Sequence, residues 1–240
     1  ISLEGPQEEE MAMINATDCS PLHVLNFPKT APGLYDRYVT RLGENEEDLA
    51  GWQRGYMEVL RKATILSDGK RLALKTPPNT GRIGVLLDMF PDARFVNIVR
   101  NPYPVYQSMR NMYRKTLPGA VLQEIDWDAI DAWIVHAYQV QMKSYLLQRS
   151  LIPPGNLIEI RYEDLDARPM SKLEEIYKGL DLGDFEGMRS TFEVYLESLG
   201  TYEKNKFEFP EDVVNTVNDK WDFAFEAFGY ERLSAGQSPD

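Results

Sequence analysis

The stretch RFVNIVRNPYPVYQSM, residues 94–109, contains the clearest strand signal of the chain. Its apolar part, FVNIVR (95–100), is short and rich in β-branched residues and ends before an Asn-Pro pair, which predicts a buried β-strand. Residues 103–115 predict a helix. Arg100 therefore follows a strand directly, and Ser108 lies about two turns into the next helix. Because a guanidinium can hold a phosphate with two hydrogen bonds, this stretch predicts an anion-binding edge of the sheet.

The sequence on either side of this stretch predicts more strands of one parallel sheet. RLALKTP (71–77) is short and apolar, and TGRIGVLLDMF after it predicts a helix that is capped by Thr80 and ended by Pro91. The strand at 71–77, the helix after it and the strand FVNIVR together have the spacing of a parallel βαβ unit. LIEIRY (157–162) predicts a third strand. The predicted fold class is α/β, with a parallel sheet of at least three strands and an excess of helices. Further helices are predicted at 126–149, 171–180, 186–198 and 210–228.

Polar side chains follow each of the three predicted strands. Lys75 ends the first strand, Arg100 the second and Tyr162 the third. Ligands of open parallel sheets bind outside the carboxyl ends of the strands, so this edge is the predicted ligand site. Two plainer interpretations remain open. Arg100 would pair with Asp164 or Asp88 and tie strands to helices, and Lys75 would be an ordinary exposed strand-end lysine.

The composition argues against several classes of protein. The 240 residues have 43% hydrophobic side chains and a net charge of -12, which disfavours a nucleic-acid or anionic-membrane binder. The one cysteine, Cys19, allows no internal disulfide, and two histidines, His23 and His136, are too few for a histidine-rich metal cluster. No apolar run approaches the roughly 18–20 residues of a membrane span. We therefore expect no nucleic-acid partner and no membrane span in these residues.

These motifs together resemble those of the sulfotransferases that use 3′-phosphoadenosine 5′-phosphosulfate (PAPS), in particular the bacterial-type branch of that family. Residues 94–109 are similar to the family's 3′-phosphate-binding segment, and LALKTPPNTGRIGVLLDMFPDARF and IRYEDLDARP are similar to two further segments. The resemblance implies a P-loop NTPase-like three-layer fold with a parallel sheet. It also implies that Arg100 and Ser108 bind the 3′-phosphate of the cofactor and that Tyr162 packs near its adenine.

The resemblance implies a reaction as well. An acceptor hydroxyl would attack the sulfur of the co-substrate PAPS in line, and 3′,5′-adenosine bisphosphate would leave, with no metal required. Lys75 would be the cation nearest the transferred group. Glu9 or Glu10, in a segment similar to one near the family's acceptor site, would take the proton of a small or lipid-like acceptor. Two other interpretations remain open. The glutamates would be the solvated first turn of a helix, or His23 would be the base.

One segment of the family pattern is missing. No loop close to G-x-P-R-S-G-T-T, whose backbone amides would cradle the phosphosulfate, occurs in the chain. FPKTAPG (27–33) is only superficially similar, because it contains a proline, which has no amide donor, where the loop needs Gly-Thr. We therefore expect residues 1–240 to be a single sulfotransferase-like domain that lacks an N-terminal part. The alternative is a non-catalytic nucleotide-binding module that keeps the 3′-phosphate site. A nucleotide kinase ranks last, since G-x-x-x-x-G-K-[ST] is absent.

Two further expectations rest on the resemblance alone. Lys204, in a late basic loop, would close over the 3′-phosphate, although lysines in a charged loop are exposed by default. The location would be the cytoplasm, where PAPS is made, with the Golgi lumen as the alternative.

Overall fold

The computed structural model describes residues 7–200 and 207–234. Within this part of the chain most residues are helical, and the strands β1 (Phe95–Val99) and β2 (Leu157–Arg161) form one sheet. The α-helices are α1 (Glu9–Ala16), α2 (Ala31–Tyr35), α3 (Glu46–Leu66), α4 (Ile83–Met89), α5 (Pro102–Ala120), α6 (Trp127–Gln148), α7 (Tyr162–Ala167), α8 (Pro169–Gly179), α9 (Phe185–Ser198), α10 (Glu211–Lys220) and α11 (Asp222–Phe228). Short 3-10 helices cover Pro21–Leu25, Pro28–Thr30, Leu42–Glu44, Pro77–Gly81 and Arg149–Leu151, and a π-helix covers Asp36–Thr40.

The two strands run parallel, as the sequence predicts. Val96 of β1 lies opposite Ile158 of β2, and Val99 lies opposite Arg161, so the strands end side by side. The next residue of each chain segment, Arg100 or Tyr162, therefore leaves the sheet at the same edge. An α/β fold with a small parallel sheet and an excess of helices is confirmed.

The strand predicted at residues 71–77 does not form. Residues 70–76 have no regular secondary structure and pair with no strand in the part of the chain that the structure describes. Leu74 is 41% exposed, and Lys75 beside it is exposed too. The prediction of at least three strands is therefore wrong for the described residues. An apolar run favours burial, but a backbone forms a strand only where a neighbouring strand supplies hydrogen bonds.

The predicted helices form with small shifts at their ends. Residues 103–115 belong to α5, and residues 126–149 form α6, whose first turn is capped by the Asp126 carboxylate. The helix expected after Thr80 begins only at Ile83, because a 3-10 turn precedes it. No helix of the described residues is both long and apolar enough to cross a bilayer.

The helix predicted at 210–228 is in fact two helices, α10 and α11. They are separated at Trp221, whose side chain is fully buried. Gly229 ends α11 with φ 66°, a left-handed conformation that glycine adopts without steric cost. The chain therefore leaves α11 in a defined direction.

Contacts between residues divide the chain into two compact units. The first contains residues 1–89 and 109–149, and the second contains 90–108 and 150–240. The boundary falls inside α5, after Ser108. The single domain expected from the sequence stays a prediction.

In the first unit, α3 presents one buried stripe. Asn45 caps this helix, since its side chain accepts a hydrogen bond from the backbone amide of Asp48 at 2.9 Å. Trp52, Tyr56 and Leu60 follow at intervals of four residues and are all buried, as expected for one face of a helix. The rings of Trp52 and Tyr56 stack with their centroids 4.4 Å apart.

In the second unit, α8 covers strand β2. Ile176 and Leu180 of this helical region pack with Ile160 of β2, and all three are buried. Ile158, Leu165 and Leu182 add to the same cluster. This apolar backing holds the carboxyl end of β2, and the residues that follow it, in one place.

Two leucines of α3 test the packing of the first unit. Leu60 is buried, whereas Leu66 is 87% exposed. We expect Leu60→Ala to lower the free energy of unfolding by about 2–5 kcal/mol, because burial is lost and a cavity remains. Leu66→Ala, the matched control, should change it by less than about 0.5 kcal/mol. Urea denaturation followed by circular dichroism measures both, and equal effects would contradict the assignment of the buried stripe.

Candidate active site

Arg100 and Tyr162 stack at the carboxyl edge of the two strands. The guanidinium carbon of Arg100 lies 4.3 Å from the centre of the Tyr162 ring, a cation–π distance. Among the described residues Arg100 makes no ion pair. Asp164, which the sequence offered as an alternative partner, instead binds Arg168 at 2.9 Å. The hydrogen-bond donors of Arg100 are therefore available to a ligand anion.

Glu163 stabilises the chain segments that contain Arg100 and Tyr162. Its Oε1 accepts a hydrogen bond from the backbone amide of Asn101 at 3.0 Å, and its Oε2 accepts one from the Tyr230 hydroxyl at 2.8 Å. Arg161 donates from Nη2 to the carbonyl oxygen of Gly229 at 2.7 Å. The end of β1, the start of α7 and the residues after α11 are thus tied together around the Arg100–Tyr162 stack.

Ser108 lies in α5 and belongs to the same unit as Arg100 and Tyr162. It is half-buried, and its hydroxyl has no partner within the described residues. An arginine with open donors, a hydroxyl and an aromatic face are the groups that bind a phosphate and a purine ring. The 3′-phosphate and adenine roles of these three residues stay predictions.

A second set of polar residues lies in the first unit, where the start of α1 meets the loop before α4. Lys75 Nζ pairs with Glu8 Oε1, and the Thr76 hydroxyl donates to Glu8 Oε2 at 3.1 Å. The side chain of Lys75 is 80% exposed and that of Glu8 is 29% exposed. An exposed pair of this kind contributes little to stability. It does place a cation and a carboxylate together, both of them in contact with solvent.

Glu9, one of the two predicted bases, faces inwards. Its Oε1 accepts hydrogen bonds from the Tyr56 hydroxyl at 3.1 Å and from Asn79 Nδ2 at 2.7 Å. Burial, and then the neighbouring Glu9 carboxylate, raise the pKa of Tyr56, so this phenol stays protonated and donates its hydrogen bond. Only 7% of Glu9 is exposed. Its carboxylate is therefore engaged mainly within the protein.

Glu10, the other predicted base, is fully buried. Its Oε1 pairs with Arg82 Nη2, and its Oε2 accepts a hydrogen bond from the Ser20 hydroxyl at 2.7 Å. Neither the Glu10 nor the Arg82 side chain has any exposed surface. Buried ion pairs need such additional hydrogen bonds to offset the loss of hydration. The geometry gives Glu10 a structural position, and it does not support the catalytic role predicted for this residue.

Arg82 connects the buried carboxylates through Asn79. Its Nε and Nη2 donate to Asn79 Oδ1 at 3.0 and 2.7 Å, and its Nη1 donates to the carbonyl oxygen of Tyr38 at 3.2 Å. Its guanidinium carbon lies 4.4 Å from the centre of the Trp52 ring. Every nitrogen of the guanidinium therefore has a partner.

The loop around Arg82 is also fastened to α6. The Ser144 hydroxyl donates to the carbonyl oxygen of Gly81 at 2.8 Å, and Gln148 Oε1 accepts a hydrogen bond from the amide of Gly84 at 2.7 Å. These bonds hold the 77–84 segment independently of α1.

Sequence reasoning missed two of the residues that the structure brings together, Glu8 and Arg82. The signal for Glu8 is its place beside Glu9 and Glu10, and the signal for Arg82 is its place in the LALKTPPNTGRIGVLLDMFPDARF segment. Neither signal indicates which carboxylate meets which cation.

The remaining candidates lie elsewhere or outside the described residues. His23 donates from Nε2 to the carbonyl oxygen of Thr17 at 3.0 Å, and His136 Nε2 lies 3.5 Å from Asp36 Oδ1. Lys204 lies outside the described residues. Within residues 7–200 and 207–234, no three or more His, Cys, Asp or Glu side chains are grouped as metal ligands.

Two curated proteins are similar to nearly all of the chain. Both are named omega-hydroxy-beta-dihydromenaquinone-9 sulfotransferase Stf3, one from Mycobacterium bovis and one from Mycobacterium tuberculosis. Each is 30% identical over 232 residues, which cover 97% of this chain and 59% of the relative. The chain therefore spans less than two thirds of the length of these relatives. No solved structure matches it.

A family model gives the wider comparison. The model described as the sulfotransferase family matches residues 9–186. The match includes both strands and the residues Lys75, Arg82, Arg100, Ser108 and Tyr162. The likeness first seen in three short motifs therefore extends over most of the sequence, and the chain belongs to the sulfotransferase family.

Proposed function

We propose that this chain carries nucleotide-binding and sulfuryl-transfer residues of a PAPS-dependent sulfotransferase. Membership of the family supports the reaction class. The observation that carries the proposal is the Glu8–Lys75 contact, because it puts a proton acceptor and a cation side by side on an open surface. The finer fold that we propose is the three-layer, P-loop NTPase-like arrangement, with no metal in the reaction.

In the proposed reaction, the acceptor hydroxyl oxygen attacks the sulfur atom of PAPS. A new S–O bond forms while the bond from sulfur to the bridging phosphate oxygen breaks. Glu8 takes the proton of the hydroxyl, and Lys75 stabilises the negative charge of the departing 3′,5′-adenosine bisphosphate. Glu8 is preferred to Glu10 because 29% of its side chain is exposed, whereas the Glu10 side chain has no exposed surface.

The nucleotide end is assigned to residues of the second unit. Arg100 and Ser108 are proposed to bind the 3′-phosphate, Tyr162 to pack near the adenine, and Lys204 to close over the phosphate. The open donors of Arg100 support this assignment. Among the described residues no carboxylate pairs with this guanidinium, so a phosphate could take that place.

The acceptor is proposed to be a hydroxyl of a lipid-like molecule. The names of both mycobacterial relatives describe a sulfotransferase for an omega-hydroxylated menaquinone. We propose the cytoplasm as the location, because PAPS is made there.

Titration calorimetry with 3′,5′-adenosine bisphosphate tests the nucleotide site. The protein should prefer the bisphosphate to 5′-AMP, and Arg100→Ala should weaken bisphosphate binding by about 2–4 kcal/mol, because a phosphate loses a charged partner. Arg168→Ala is the matched control, since this arginine is occupied by Asp164. The Arg168→Ala variant should bind the bisphosphate with the affinity of the unaltered protein. Equal affinity for the two nucleotides, or no effect of Arg100→Ala, would overturn the assignment.

Glu8→Gln tests the proposed base. This change keeps the shape of the side chain and removes its ability to take a proton, so kcat for PAPS turnover should fall by roughly 10²–10⁴-fold. Omega-hydroxy-beta-dihydromenaquinone-9 serves as the acceptor, and released 3′,5′-adenosine bisphosphate is measured. Glu58→Gln is the control, because Glu58 forms an exposed pair with Lys62 on α3.

The control variant should keep the kcat of the unaltered protein. A loss with Glu9→Gln and none with Glu8→Gln would return the base to Glu9. Binding of the bisphosphate without any turnover of PAPS would favour the non-catalytic nucleotide-binding module.

A further inference from the structure

The residues behind the Glu8–Lys75 pair form one connected network in the first unit. Arg82 binds Glu10 directly, and it reaches Glu9 through Asn79, which accepts from Arg82 by Oδ1 and donates to Glu9 by Nδ2 at 2.7 Å. Both routes end on the first turn of α1. Glu8, the residue directly before that turn, is the one that meets Lys75.

We propose that Arg82 is a positioning residue for sulfuryl transfer, which holds the start of α1 against the loop of Lys75 through Glu10 and through the Asn79–Glu9 bridge. This inference rests on the proposed function, in which Glu8 and Lys75 touch the reacting groups. Arg82 itself does not touch the reacting groups, since its side chain is fully buried.

The chemistry of the guanidinium suits this task. Its planar group donates in three directions at once, to Glu10, to Asn79 and to the carbonyl oxygen of Tyr38. The Trp52 ring, 4.4 Å from the guanidinium carbon, fixes the plane in which these donors point. A lysine would carry the same charge without the planar fork, so it would not bind Glu10 and Asn79 at the same time in this geometry.

Asn79 suits the bridge because its amide has two different ends. The oxygen accepts from Arg82, and the nitrogen donates to Glu9, so one small side chain joins a cation to an anion. An alanine in its place breaks this route and leaves the Arg82–Glu10 pair intact. Removal of the Asn79 side chain therefore tests the positioning role while Glu10 keeps Arg82 and Glu9 keeps the Tyr56 hydroxyl as partners.

Steady-state kinetics of Asn79→Ala is the first experiment. We expect kcat to fall about 10- to 100-fold, with the KM for PAPS changed less than about threefold, because the reacting groups shift while the nucleotide site stays intact. Ser144→Ala is the matched control, since it also removes a buried hydrogen bond to the 77–81 turn. It should lower the melting temperature to a similar degree and leave kcat unchanged. An equal fall of kcat in both variants would show a merely structural effect and would overturn the proposal.

A zero-length carbodiimide cross-link provides a readout that needs no activity. The reagent joins a carboxylate to an amine in contact with it, so the unaltered protein should give a Glu8–Lys75 cross-linked peptide in mass spectrometry. Its yield should fall about 10-fold in Asn79→Ala and in Arg82→Lys, because the shift that lowers kcat also separates the pair, and it should stay unchanged in Ser144→Ala.

The two experiments separate the inference from the proposed function. A cross-link that depends on Asn79, in a protein that never turns over PAPS, would show that the network holds Glu8 against Lys75 and would count against the proposed function. A cross-link of equal yield in all variants would overturn the positioning role, whatever the activity.

Discussion

The buried ion pair between Glu10 and Arg82 is the interaction on which the first unit's part of the candidate active site depends. Removal of two charges from water costs several kcal/mol per ion, and the attraction between them offsets this only where further hydrogen bonds satisfy both groups. Ser20 satisfies the second oxygen of Glu10, and Asn79 and the Trp52 ring contact the guanidinium. Because the pair is stable in one geometry, the first turn of α1 has one register against the loop before α4. Glu8, directly before that turn, forms the exposed contact with Lys75, and we propose that the register sets it.

The second unit depends on a different constraint, the parallel register of β1 and β2. Val99 and Arg161 are paired, so the residues that follow them, Arg100 and Tyr162, leave the sheet together and stack at 4.3 Å. The tyrosine ring holds the guanidinium from one side without using its hydrogen-bond donors. A carboxylate in the same place would neutralise the arginine. The stack thus leaves the guanidinium without an ion-pair partner among the described residues, in a chain with a net charge of -12.

Sequence reasoning predicts these two regions unequally well, for a physical reason. Arg100 and Tyr162 directly follow apolar strands, and the carboxyl ends of parallel strands meet, so local pattern is enough. The three glutamates are different, because successive residues of a helix point about 100° apart, and the short α1 has no apolar stripe to orient them. The partner that orients them, Arg82, lies 72 residues after Glu10. The strand prediction for residues 71–77 failed for a similar reason. Their apolarity predicts burial, but it does not predict the neighbouring strand that must supply the backbone hydrogen bonds.

The most direct test of this account is a double-mutant cycle on the free energy of unfolding with Glu10→Gln and Arg82→Met. Each single change leaves the other member of the pair buried and without its charged partner, so each should cost about 3–5 kcal/mol. The double variant should cost no more than one single variant, which gives a coupling energy of several kcal/mol. Costs that simply add would mean that the two residues do not act as a pair, and would contradict the account that Arg82 sets the position of α1 and, through it, of Glu8.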